Sequence, residues 1–321
     1  MMTLPDFREK KLLFVNANDD LENNLRFIQG NICLYESDVM KQKISCHLVI
    51  SIFIIGRATL TTILIKNAKK YGISIFLLTD SLETYAEIVS LAEGHYVLRH
   101  IQYTMKEEKE MEIARFLILN KAKSQYESIK KKRTLGIEKT LYENWQSRIT
   151  KANDCKSLLG VEGSIASEYF PIIFENMNWH RRTPQIKEDI TNLLLDIGYT
   201  FLFHYVDSLL RLFGFDTYKG VYHKLFFQRK SLSCDIMEPL RPLIDYELSK
   251  AHNLGQIISK DFICDNGIWK FQEPSYKTRQ KYSGIFLKAI TERKEDIYLF
   301  VYGYYRFVSN SEKYPFSPFL L

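Results

Sequence analysis

The hydrophobic pattern of this chain changes once, near residue 104, and that change limits what the chain can fold into. Before it, "KLLFVNA", "NICLYES", "KISCHLVISIFII" and "GISIFLLT" are short runs rich in Ile, Val, Phe and Leu, punctuated by Asn, Asp and Gly, as β-strands are. One amphipathic stretch, "TLTTILIKNAKKYG", predicts a helix with Gly72 as its C-cap. "NANDDLENN" and "TDSLETY" predict turns. After the change, "KEEKEMEIARFLILNKAKSQYESIKKKR" carries apolar residues at helical spacing among mixed charges. Helical character then runs to about residue 260, with breaks expected at Gly160, Pro171, Pro184 and Gly220, and "SNSEKYPFSPFLL" reads as a tail. The expected fold class is α+β, with a small N-terminal β-rich domain over residues 1–103 and a larger all-α domain over residues 104–321. A chain of 321 residues is long enough to bury a core in each.

Composition narrows the setting. Cys33, Cys46, Cys155, Cys234 and Cys264 are scattered and odd in number, with no CxxC pair, which argues against a disulfide framework or zinc ribbon and for a reducing cytoplasm. The opening "MMTLPDFREKKLLF" has acids and no long apolar run, unlike a secretory signal. The most apolar stretch, "HLVISIFIIGRATLTTILI", is interrupted by Gly56, Arg57 and threonines, so no membrane span is expected. A net charge of +6 is compatible with a polyanionic partner without requiring one.

"SLSCDIMEPLRPLID", residues 231–245, sets Asp235, Glu238 and Asp245 in an otherwise apolar stretch. Buried carboxylates need a cation, a metal or a proton. Asp235 and Glu238, three apart, share a helix face, and Pro239 and Pro242 predict a helix start there. The pair suits either a helix dipole or half of a metal site. "LLGVEGSIASEYF" holds Glu162 between Gly160 and Gly163 at an expected helix start, either as a first-turn acid or as one a ligand can approach closely. His223 follows Gly220 in a loop-like stretch, either as a satisfied polar side chain or as a partner of the acids; Lys224, Arg229 and Lys230 make the same connection basic. Together Glu162, His223, Asp235 and Glu238 form a carboxylate and imidazole set suited to Mg²⁺ or Mn²⁺. Zinc would want more His or Cys, and there is no HExxH. The stretch from 269 to 294, with Lys277, Arg279 and Lys281 beside Tyr276 and Tyr282, either follows a phosphate backbone or forms a solvated helix face. "KKKR" at 130–133 is open to the same two readings.

These segments, in this order, resemble the CRISPR-associated adaptation integrases, the Cas-one family. The likeness is carried by "GVEGSIASEYF", "DITNLLLDIGYTFL", "GFDTYKGVYH" and "SLSCDIMEPLRPLID". It extends to "IFIIGRATLTT", "YGISIFLL" and "RHIQYTMKEEKEMEIARFLILNKAKSQ", and so to nearly the whole chain. The resemblance implies a β-rich dimerisation domain and a helical, metal-dependent catalytic domain. It implies that Glu162, His223 and Glu238 hold Mg²⁺ or Mn²⁺, with Asp235 as a further acid close by. The implied reaction is attack of a DNA 3′-hydroxyl on a phosphodiester at the edge of a CRISPR repeat, inserting spacer DNA, with endonuclease activity when water attacks instead. The implied partners are spacer-precursor duplex, leader–repeat DNA, a second copy of the chain and the small Cas-two protein. Arg241 balances the acids or holds the DNA backbone, and Asp245 is structural. Arg181 and Arg182 are expected DNA contacts, although "NWHRRTPQIKED" has drifted from the family's Arg-Pro-rich lead-in; Asp196 stands where the family often has Asn. Two rivals remain, a catalytically inactive DNA-binding scaffold of the same fold and a metal hydrolase acting on a small molecule. The basic stretches and the lack of a glycine-rich nucleotide loop weigh against the second.

Overall fold

Strands and helices separate where the hydrophobic pattern changes. The computed structural model describes residues 4–17, 20–90, 95–132, 139–223 and 229–321. A short helix, α1 (Leu4–Arg8), leads into β1 (Lys11–Asn16), β2 (Asn23–Ile28), β3 (Asn31–Glu36), β4 (Val39–Ser45), β5 (Val49–Ile55) and β6 (Thr59–Leu60). Then come α2 (Thr62–Lys70), β7 (Ser74–Leu78) and β8 (Thr84–Ile88). The strands form two four-stranded sheets, ordered β1-β5-β7-β8 and β4-β3-β2-β6. The run "KISCHLVISIFII" divides into β4, a 3₁₀ turn over Cys46–Leu48 and β5. Thr61 caps α2 through its hydroxyl, and Gly72, at φ 73°, lets the chain turn out of it toward β7.

β5 is buried at all seven positions, because it has a core on each side. Ile52 and Ile54, with Ile75 of β7, pack toward Leu25, Ile32 and Leu64 of the strand-rich half. Phe53 and Ile55, with Phe76 and Leu78, face the helices instead. β5 pairs in parallel with both β1 and β7, as strands buried on both faces tend to do.

The helical half comprises α3 (Tyr96–Tyr103), α4 (Glu107–Lys132), α5 (Lys139–Lys151), α6 (Cys155–Ile173) and α7 (Ile190–Leu212). It continues through α8 (Ser231–Met237), α9 (Arg241–Asn253), α10 (Tyr276–Glu292) and α11 (Lys294–Ser309). α7 is long and apolar enough to cross a membrane, but 83% of its apolar window is buried as the axis of this core. Gly198 lets two further helices close on it: a Cβ there would lie 2.5 Å from Ile244 of α9 and 2.8 Å from Phe286 of α10.

Four expectations need correcting. α6 runs unbroken through Gly160 and Pro171, because its N-terminus is fixed earlier by a capping box between Asp154 and Ser157. The half is not purely helical, since β9 (Phe262–Asp265) and β10 (Ile268–Phe271) make a hairpin; its turn, Asn266 and Gly267, takes positive φ at both positions. β8, which begins inside the expected turn "TDSLETY", is a strand on the edge of its sheet, alternately half-buried and exposed, so its apolar signal is weak. The C-terminal residues are not a loose tail. Asn120 of α4 exchanges two 2.8 Å hydrogen bonds with the backbone of Phe319, and Phe316 packs on Phe116 and Phe300.

Polar ties hold the halves together. Arg279 of α10 is fully buried and donates to Asp80 (2.6 Å), to Asn16 (3.0 Å) and to the carbonyls of Ala17 (2.7 Å) and Pro274 (3.0 Å). It therefore clamps the ends of β1 and β7 to the helices. Lys230 is buried between Glu87 of β8 (2.6 Å) and Asp207 of α7 (3.1 Å). Replacing Arg279 with Met would strand its acceptors, so denaturant unfolding of Arg279→Met should show a loss of about 3 kcal/mol, at the lower end for a broken buried pair because Asp80 keeps some solvent.

Candidate functional site

Four elements converge on one cluster of charge. α4 supplies Lys121 and α6 supplies Glu162 from its middle, so Glu162 is not a first-turn acid attracted by the helix dipole. The junction of α8 and α9 supplies Asp235, Glu238 and Arg241; it is a 3₁₀ turn over Glu238–Leu240, with Pro242 in the first turn of α9. The segment from Gly220 to His223 closes the cluster.

Asp235 is fully buried and its acceptor capacity is used up within its own neighbourhood. Oδ2 accepts from the backbone of Val221 (2.7 Å) and Tyr222 (2.9 Å), while Oδ1 accepts from the backbone N–H (3.0 Å) and the ring Nδ1 (2.6 Å) of His223. Gly220 permits this approach, since a Cβ would lie 2.6 Å from Oδ2. With Nδ1–H committed to the carboxylate, Nε2 is the ring nitrogen left to bind a cation.

Glu162 and Glu238 share a cation. The Lys121 ammonium donates to Glu162 Oε1 and, at 2.6 Å, to Glu238 Oε2. The far oxygen of each carboxylate is held separately: Tyr222 donates its hydroxyl to Glu162 Oε2 at 2.5 Å, and Arg241 reaches Glu238 Oε1 at 3.2 Å. Burial alone would raise the Glu238 carboxyl, but Arg241 and Lys121 outweigh it and hold the group down at about 2. Lys121 behaves in the mirror sense, desolvation lowering it and the two glutamates raising it further, so it stays charged. Burial and the neighbouring Glu162 push the Tyr222 hydroxyl well up, so it remains a donor.

Beside this cluster lies a cavity of about 320 Å³ lined by Lys121, Glu162, Gly163, Arg182, Tyr199 and Arg241. Arg241 stacks over Tyr199 at 4.8 Å, and its Nε is buried without a partner among the described residues. On the other side, His223 and Tyr222 line a larger cleft of about 960 Å³ with Lys219 and Arg115.

The structure thus brings Glu162, Glu238, His223 and Asp235 into one neighbourhood but pairs them two and two. Among the described residues no three His, Cys, Asp or Glu side chains are gathered as a ready-made metal cage. The set nevertheless fits a divalent cation, because two carboxylates from separate helices already coordinate one cationic atom in common and a braced imidazole stands beside them.

The expected DNA contacts divide. Arg181 is exposed on the surface with Glu188, and Arg229 and Lys277 are exposed. Arg182 is bound to Asp196 (2.5 Å) and Asn192 (2.8 Å), which accounts for the acid at position 196. Lys281 pairs with Asp261 at 2.7 Å and is part-exposed. Lys230 and Arg279 are corrections: both are buried cations already engaged, Lys230 by Glu87 and Asp207 and Arg279 by Asp80, so neither is offered to a phosphate backbone. Lys224, and Arg133 of the "KKKR" run, lie outside the described residues. Sequence inspection missed Lys121 and Tyr222. The signal for Lys121 was present: it falls one helical turn after Leu117 and one before Gln125 on the buried stripe of α4.

Asp245 is structural in the sense expected, accepting from Tyr199 (2.5 Å) and Tyr169 (3.1 Å) inside the core. Burial raises it to about 6, the two phenols offsetting this only in part. Because the folded state holds this proton more tightly than the unfolded chain, stability from this group falls as pH rises from about 4 through about 6 and is level beyond. At 1.36 kcal/mol per pKa unit, metal-free unfolding should favour Asp245→Asn over wild type by about 2 kcal/mol more at pH 7 than at pH 4. A difference that does not change with pH would contradict this.

The family model for CRISPR-associated protein Cas1 matches residues 20–283. A protein of Rhodospirillum rubrum named CRISPR-associated endonuclease Cas1 is 28% identical over 309 residues, covering 89% of this chain and 88% of its own. The solved structure of a Cas1 protein from Thermotoga maritima has a TM-score of 0.81 at 19% identity, covering 94% of this chain and 97% of its own. A casposase bound to its integration product has a TM-score of 0.76 at 18% identity, covering 97% and 94%. These two structures show that the fold is shared.

Proposed function

This chain belongs to the Cas1 family of CRISPR-associated proteins, and on that premise we propose that it is an adaptation integrase that joins spacer DNA to the CRISPR array. The observation that carries the proposal is the pair of glutamates, Glu162 and Glu238, held from different helices on one shared cation beside an imidazole braced by Asp235. Glu162, Glu238 and Nε2 of His223 would hold Mg²⁺ or Mn²⁺. Such an ion, when bound, polarises a phosphoryl group and neutralises charge on its oxygens.

Everything else falls to the chain. Asp235 keeps the imidazole in one tautomer and one orientation, which makes it a positioning residue rather than a ligand. Tyr222 orients Glu162, and Arg241 orients Glu238 while lining the cavity. A DNA phosphate in that cavity would meet Arg241 and Arg182, and the exposed Arg181, Arg229 and Lys277 would follow its backbone outward. In the joining step a DNA 3′-oxygen loses its proton to solvent and bonds to phosphorus, and the bond from phosphorus to the departing 3′-oxygen breaks, that oxygen taking up a proton to become the new 3′-hydroxyl. Water in place of the hydroxyl gives the endonuclease reaction. Positioning and charge neutralisation suffice, with no covalent intermediate on the protein. We place dimerisation in the strand-rich residues 1–103, catalysis in residues 104–321, and the small Cas-two protein among the partners.

Strand transfer on repeat-containing DNA with Mn²⁺ or Mg²⁺ tests the proposal. Wild type should join DNA only with metal, and His223→Ala should abolish joining while DNA binding persists. Asp235→Asn should weaken metal affinity by roughly 10–100-fold, the usual effect of losing a partner that orients a ligand. Equal joining by wild type and His223→Ala would remove His223 from the site. No joining by wild type, even with the small partner protein present, would favour an inactive DNA-binding scaffold.

A further inference from the structure

We propose that Lys121 competes with the divalent metal: its ammonium holds Glu162 and Glu238 together in the metal-free protein, and metal binding turns it toward DNA phosphate in the adjoining cavity. The proposal rests on the metal reading of these two glutamates given above.

Three features support it. First, the ammonium bonds both carboxylates at once, taking the inward oxygen of each. The outward oxygens are already held by Tyr222 and Arg241, so the glutamates cannot simply turn away from Lys121 to meet a metal elsewhere. A metal that uses the same oxygens must displace the ammonium. Second, the residue is suited to leave. The backbone of α4 is pinned one position earlier, where Asn120 holds Phe319, so the mobile part is the four-carbon stem. A lysine head is a compact point charge on that flexible stem, whereas an Arg fork is tied by its geometry. Third, the ammonium has somewhere to go, since Lys121 lines the 320 Å³ cavity together with Arg182 and Arg241. Moving a third cation into that wall favours an anion there, and phosphate is the anion that DNA supplies.

Metal and DNA are thereby coupled. A phosphate that receives the ammonium lowers the cost of displacing it, so DNA tightens metal binding, and by linkage metal tightens DNA binding. Without Lys121 the two glutamates face each other with Arg241 as the ion-pair partner that remains among the described residues, and they attract a divalent ion strongly with or without DNA.

The test is Mn²⁺ titration by electron paramagnetic resonance at neutral pH, with and without a short duplex, for wild type, Lys121→Met and Glu162→Gln. In wild type, DNA should tighten Mn²⁺ binding. Lys121→Met should bind Mn²⁺ about tenfold more tightly than wild type without DNA, the effect of ~1.4 kcal/mol, and DNA should add little more. Glu162→Gln should lose the site. If Lys121→Met binds Mn²⁺ no more tightly than wild type while Glu162→Gln abolishes binding, the competition is overturned and the metal site stands. If Glu162→Gln binds like wild type, the metal reading itself fails and takes this inference with it. Should Lys121→Met not fold, acetylation of wild type followed by mass spectrometry decides: labelling at Lys121 should rise when Mn²⁺ binds, and unchanged labelling overturns the competition.

Discussion

A carboxylate inside a helical core is tolerable only when a partner is brought to it, and the centre of this protein is organised by that requirement. Glu162, Glu238, Asp235 and Asp245 are each held by groups from at least one other segment: Lys121, Arg241, the backbone of residues 221–223, and three tyrosines. An ion removed from water without such partners costs several kcal/mol, so these pairings select the helix arrangement that satisfies them all. α4, α6 and the α8–α9 junction meet at Lys121, which gives Glu162 and Glu238 a shared cation. The glycines complete the fit, Gly198 by letting α7 close on α9 and α10, and Gly220 by letting the His223 segment lie on Asp235.

The same rule explains why so many cations of a basic chain are not on its surface. Arg279 and Lys230 stand in stretches that look suited to a polyanion, yet each is spent joining the strand-rich half to the helices. Of the cations expected to meet DNA, Arg181, Arg229 and Lys277 are exposed, and Arg182 and Arg241 line the cavity beside the glutamates. The cations expected to meet DNA are thus divided between an internal scaffold, the cavity wall and the surface.

Much of the architecture was legible from the pattern of residues. Strands β1, β3, β5 and β7 and the long α4 follow directly from β-rich runs and a helical stripe, because each buries a face whose periodicity survives in one dimension. β8 and the β9–β10 hairpin did not show themselves, since β8 is half-exposed and the hairpin is short and mostly exposed. The start of α6 was misplaced because Gly160 looked like a break, whereas the Asp154–Ser157 capping box set the boundary earlier. Of the site, the motif residues Glu162, His223, Asp235 and Glu238 were recognisable by type and order. Lys121 was legible only as a position on the buried stripe of α4; its role was not, because a lysine within a charged amphipathic helix resembles its solvated neighbours until the opposing helix is known.

By itself, the sequence determined which side chains could do chemistry and the two kinds of secondary structure that carry them, since residue type and local periodicity are properties of the chain. Tertiary structure alone decided how those side chains are used. It assigned Asp235 to the histidine, the two glutamates to Lys121, and Lys230 and Arg279 to the interior. The physical reason is that pairing between charges depends on distance and desolvation, and both are set by segments that lie tens to hundreds of residues apart, as Arg279 does from Asn16.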